Sequence, residues 1–150
     1  MEKKNYRKLG VTLLISFILM YTIMYLNVDE FSHVYLNMTR LYMTLLMVSA
    51  MALLMLGMMR MMYQNRKYNL MIAFCAVAVF LLALAGVRTQ TGITDVQYMK
   101  GMIPHHSIAI MVSKKAHLKD PEVIRLSQSI ITAQEKEIAQ MKKALIRLDK

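Results

Sequence analysis

The chain is short of the residues that most folds use to turn or to cross-link. Its 150 residues include no tryptophan, one cysteine, two prolines and five glycines. A lone Cys75 inside an apolar run cannot form an intramolecular disulfide, so cysteine leaves the redox compartment unread. Scarce glycine and proline exclude a turn-rich β fold and suit helices. There is no His-Glu-x-x-His, and no nucleophile stands in an arrangement with a base. A di-iron carboxylate oxidoreductase needs inward glutamates and paired Glu-x-x-His motifs, and this class is set aside. No enzyme is expected. Internal repeats and low-complexity tracts are also lacking.

What is present is apolar, basic and rich in thioether. The composition is 57% hydrophobic with 17 methionines, and the formal charge is +10. That charge does not read as a nucleic-acid surface. Much of it lies in Lys3, Lys4, Arg7 and Lys8, and in Arg60, Arg66 and Lys67, which flank apolar runs as topology signals.

Three apolar runs, residues 9–28, 41–59 and 69–87, each come close to the roughly 20 residues that span a bilayer. The first follows a basic head, as a signal peptide does. Yet it is long for that role, and Leu26-Asn27-Val28-Asp29-Glu30 lacks a small-x-small cleavage pattern, so a retained anchor is expected. Tyr21, Tyr25, Tyr35, Tyr42, Tyr63 and Tyr68 cluster toward the run ends, where amphipathic rings prefer the interface. The N-terminal tail carries four Lys/Arg and the second connector three, while the first connector carries only Arg40, together with Asp29 and Glu30. The positive-inside rule then puts the N-terminus in the cytoplasm and everything after Val87 outside. A multi-pass protein of the cytoplasmic membrane is expected, divided into a spanning region (1–90) and an extracytoplasmic domain (91–150).

The C-terminal part changes character. Thr94-Asp95-Val96-Gln97 fits a capping box, and a helix from there would run to about His117. Pro104 lies in its interior, where a kink or a restart is expected. Asp120-Pro121-Glu122 is a second helix start, and Val123, Leu126, Ile130, Ile138, Met141, Leu145 and Leu148 follow at helical intervals. The expected fold is all-α: three transmembrane helices followed by an antiparallel helical hairpin that turns near Leu118-Lys119. One seam leaves apolar surface over, as at Ile124 and Ile131, so the hairpin is expected to meet a second copy or the outer ends of the spans.

The stretch from Met99 to His106 concentrates two thioethers, two adjacent imidazoles and a proline. Met99, Met102 and His106 share a helix face, with His105 one position round. In a hairpin, residues whose numbers sum to about 240 face each other, which sets His106 against Gln134, Met102 against Glu137 or Ile138, and Met99 against Met141. Thioether and imidazole together select copper, above all Cu(I), with Ag(I) as a mimic. Gln134 and Glu137 suit a supporting role, fixing an imidazole through its other nitrogen. The plainer account is that the methionines fill core gaps and the histidines are satisfied structural groups; for methionine at helical spacing that is the usual outcome.

Met102-Ile103-Pro104-His105-His106, then Ala109-Ile110, Asp120-Pro121-Glu122-Val123 and Gln134-x-x-Glu137-Ile138-x-x-Met141, resemble the domain-of-unknown-function family 305 over residues 95–148. The resemblance implies a ferritin-like helical module outside the cytoplasm, half of a four-helix bundle here, with members implicated in copper binding and tolerance. It implies Met99, Met102, His105, His106 and Met141 as ligands. Many members carry methionine where this chain has Val112, and Met111 stands one position earlier, on another face.

Weaker features get plainer readings. Met43, Met47, Met51, Met55, Met58 and Met62 form a stripe along the second run, read as filler in lipid ahead of a path for soft ions. His33 and Met38 are read as part of an interfacial loop, and His117, Lys114, Lys115 and Lys119 as a cationic helix end. The expected function is membrane-anchored binding of Cu(I) for buffering, tolerance or delivery. The partners are a metal ion, the bilayer and a second copy of the hairpin. The alternative is a structural or signalling protein whose hairpin docks a partner without metal.

Overall fold

The computed structural model describes residues 2–148. Among them it contains five α-helices, one 3₁₀ turn and no strand. The helices are α1 (Glu2–Ile23), α2 (Met38–Met58), α3 (Arg66–Thr89), α4 (Asp95–Lys115) and α5 (Pro121–Leu148). The chain divides into two compact units, Met1–Ile23 with Thr39–Gly92, and Met24–Met38 with Ile93–Lys150. The division expected at residue 90 keeps the first connector with the spans; in the structure that connector, Met24–Met38, groups with the C-terminal residues instead.

In the first unit, three helices are long and apolar enough to cross a membrane: Lys4–Ile23, Met38–Met58 and Arg66–Thr89. The first ends at Ile23, five residues short of the expected 28, because the apolar Leu26 and Val28 lie in the connector. Their outward faces carry exposed Leu14, Ile18, Leu54, Phe74 and Leu82, which suits a hydrocarbon surround. Inside, Leu9, Leu56 and Tyr63 form a buried cluster. Met55 packs against it, whereas Met58 is 83% exposed, so the methionine stripe is shared between core and surface. The Tyr6 hydroxyl donates to Asn69 Oδ1 (2.7 Å) and accepts from the Asn65 N–H (3.1 Å), while Asn65 caps α3 by accepting from the N–H groups of Lys67 and Tyr68. At Gly86 the Tyr42 ring lies so close that a Cβ would stand 3.0 Å from it, and the Tyr42 hydroxyl donates to Thr91 O (2.8 Å).

In the second unit, α4 and α5 are joined by residues 116–120. Asp120 Oδ1 accepts from the N–H groups of Glu122 and Val123, which starts α5 as its sequence indicates. Ser127 Oγ donates to Ser113 O near the connection and His106 meets Glu137 farther from it, so facing pairs run along the two helices in opposite chain sense. Between them lies a core of Met99, Ile103, Ile110, Ile138 and Leu145, flanked by Tyr35, Val96, Ile131, Met141 and Ala144.

Two local expectations are corrected here. Of the kink or restart expected at Pro104, the restart is the one corrected: helix α4 runs through the proline as a single helix. Proline removes the N–H that would bond Lys100 O, and Asn37 Nδ2, from the connector, donates to that carbonyl (3.4 Å). The capping box at Thr94 is half made. Thr94 Oγ1 accepts from the Gln97 N–H at 3.4 Å, but Gln97 Oε1 accepts from the Met38 N–H (3.1 Å) in place of reaching back.

Candidate functional site

The site lies on α4, on the side that meets α5. His106 is buried. Its Nε2 donates to Glu137 Oε2 at 2.7 Å, and its Nδ1 lies 2.9 Å from Met102 O, one turn earlier. Both ring nitrogens are thus faced by an oxygen in this conformation, and a metal would have to displace one of these contacts to reach the ring. His105 is exposed, its ring edge-on to that of His106 with centroids 6.0 Å apart. Met99 is buried and Met141 is partly buried in the same cluster, while Met102 is half-buried outside it. The structure thus brings Met99 and Met141 into one core, and Glu137 onto His106. It leaves His105 turned to solvent and puts Glu137, not Gln134, opposite His106.

The donor types suit a soft ion, and the obstacle is Glu137. Its side chain is 50% exposed, so it is free to swing off Nε2 into water. Among the described residues no three His, Cys, Asp or Glu side chains group as a metal site. Any site here therefore rests on thioether sulfur as well as imidazole.

A second network escapes the sequence reading. Ser107, fully buried, accepts from the Asp29 N–H (2.8 Å) and lies 2.9 Å from His33 Nδ1. The hydroxyl has one hydrogen to donate to the imidazole while its oxygen takes the amide. His33 is not a loop residue facing the interface: it is buried beside α4. Lys114 Nζ donates to Asp29 Oδ2 (2.9 Å) and stands 3.6 Å from Glu135. The bond to Asp29 holds the Lys114 ammonium above its ordinary range, so this lysine is more than a helix-end cation. Glu30 and His33 also form a Glu-x-x-His pair, at a loose 3.7 Å with Glu30 mostly exposed. No second such pair exists in the sequence, so the di-iron pattern remains incomplete. The signal that could have found this network is Ser107 itself, a polar residue at a core position of the stripe Met99, Ile103, Ile110.

Burial first, and then Lys142, push the His33 imidazole below its ordinary value of 6.5, against the pull of Glu30 and Asp29. Its neutral form is favoured in the fold. The stability this contributes is therefore complete above pH 6.5 and is lost as pH falls from there through the folded-state value. Melting temperature followed by circular dichroism should drop between about pH 7 and about pH 5, and His33→Gln should flatten that slope. An unchanged slope in the variant would assign the acid loss to other groups.

The comparisons with known proteins give a family and a relative and are silent on chemistry. An uncharacterized protein, L153, of Acanthamoeba polyphaga mimivirus is 37% identical over 112 residues, covering 73% of this chain and 72% of the relative. No solved structure matches. The family described as "Domain of unknown function (DUF305)" matches residues 54–145, a longer stretch than 95–148, reaching back through α3 into the end of α2. With most of its length matched, the chain belongs to the DUF305 family.

Proposed function

We propose that this protein is a membrane-anchored binder of soft metal ions, Cu(I) foremost with Ag(I) as its mimic, serving copper buffering, tolerance or delivery outside the cytoplasm. The observation that carries the reading is that Met99 and Met141 share one core, while His106, one helix turn beyond Met102, faces α5 from the same helix as Met99. Met99, Met102, His106 and Met141 supply the donors, His105 joins by a change of rotamer, and Glu137 and Gln134 support. Such an ion adds a positive centre matched to thioether and imidazole and not to carboxylate.

The placement outside is supported by charge, and the siding of the first connector with the C-terminal domain by packing. Basic residues gather in the N-terminal tail and the second connector. Independently, Met24–Met38 packs with the residues after α3, and two segments of one folded unit lie on the same side of a bilayer. The chain between them therefore crosses an even number of times, which the two apolar helices α2 and α3 supply. Apolar Val123, Ile124, Leu126 and Ile130 remain exposed on α5, and a second copy of this unit is the partner we assign to them.

The test uses full-length protein in detergent, titrated with Ag(I) or Cu(I) against a competing chelator. Affinity should fall by about a hundredfold or more in His105→Ala with His106→Ala, and by a smaller factor in Met99→Leu with Met141→Leu. Undiminished affinity in the histidine pair removes the assignment. The bond from His106 to Glu137 favours a second reading, a docking module held by a structural histidine. In that case the protein binds neither ion, and chelators leave its oligomeric state unchanged.

A further inference from the structure

The first unit holds a feature unrelated to the proposed metal binding. The last turns of α2, the connector 59–65 and the first turns of α3 enclose an open cavity of about 600 Å³. Its walls are apolar at Leu53, Leu70 and Ala73, and its rim carries Arg60, Arg66 and Gln64. Arg60 Nε donates to Gly57 O (3.1 Å), which fixes the root of that guanidinium. Neither arginine has a carboxylate partner among the described residues. No acid lines the cavity, and the sequence has no Asp or Glu between Glu30 and Asp95. Two cations thus stand at the end of two spanning helices with no ion-pair partner among the described residues.

We propose that this cavity binds an anionic glycerophospholipid, its phosphate between Arg60 and Arg66 and the start of an acyl chain along Leu53 and Leu70. Guanidinium is the side chain best matched to phosphate oxygens, and basic pockets between membrane helices take anionic headgroups. The apolar walls are what separate a lipid from free phosphate, which has no use for them. Span ends are where headgroups lie, and long basic side chains reach that level readily.

Gly57 gives a way to close the cavity without touching its charge. A Cβ built there meets no atom within 4 Å, so a larger side chain enters open space. The experiment uses the full chain in a neutral detergent, with thermal unfolding followed against dioctanoyl phosphatidylglycerol, dioctanoyl phosphatidylcholine or inorganic phosphate. Phosphatidylglycerol should raise the melting temperature saturably, and the other two at equal concentration should not. Arg60→Gln with Arg66→Gln should weaken phosphatidylglycerol about tenfold, and Gly57→Leu should weaken it while leaving the lipid-free melting temperature in place. The proposal is overturned if phosphatidylcholine or phosphate acts as strongly, or if the arginine pair leaves the affinity unchanged. It is overturned equally if Lys4→Gln with Lys8→Gln, on α1 and not lining this cavity, costs as much as the arginine pair.

Discussion

Replacing Ile103 with alanine is expected to destabilise the second unit by about 3 kcal/mol. Ile103 is wholly buried at the centre of the cluster that α4 and α5 share with Met99 and Met141. Truncation removes its transfer free energy and leaves a cavity, and large-to-small changes at such positions cost about 2–5 kcal/mol. For a unit of this size the melting temperature should fall by roughly 15 °C. Ile103→Val, which removes one methylene, should cost about 1 kcal/mol. A drop as small for alanine as for valine would mean that the helices close over the gap, and that this core does not set the spacing of the methionines.

The second large effect is expected at Ser107. Ser107→Ala takes the acceptor from the Asp29 N–H and the partner from His33 Nδ1, both on the connector. A buried polar group left without a partner costs about 1–3 kcal/mol, and this change affects two. The exposed Lys114–Asp29 pair then has little with which to hold the connector in place. Stability should fall by about 2 kcal/mol or more, and hydrogen exchange at the Asp29 amide should rise to the rate of an open loop. Protection of that amide in the alanine variant would show that other contacts hold the connector.

The spanning helices were legible because a long apolar run has few structural alternatives. Their ends were not. Leu26 and Val28 continue the hydropathy of α1, and no glycine or proline marks the stop at Ile23. At the candidate site the placement of Met99 and Met141 in one core was readable from spacing. The partner of His106 was misassigned by one turn. Helical side chains lean toward their own N-terminus, so Glu137 covers the level at which spacing alone puts Gln134. The connector was the larger omission. Nothing in the spacing of His33, Asn37 or Asp29 points to Ser107, Lys100 and Lys114, since those partners lie 74, 63 and 85 residues farther along. Pro104 was correctly marked as costing a hydrogen bond, but no local pattern reveals that Asn37 would supply the donor.

The seating of Met24–Met38 against α4 also orders events at the ribosome. The connector is synthesised well before the helix that receives it, so His33 must wait for a Ser107 that lies 74 residues downstream. During that interval its polar groups are served by water, and the unit closes only when the last third of the polypeptide arrives. Closure of so long a loop is slow, and a chain halted after α3 would leave its first extramembrane segment permanently unpaired.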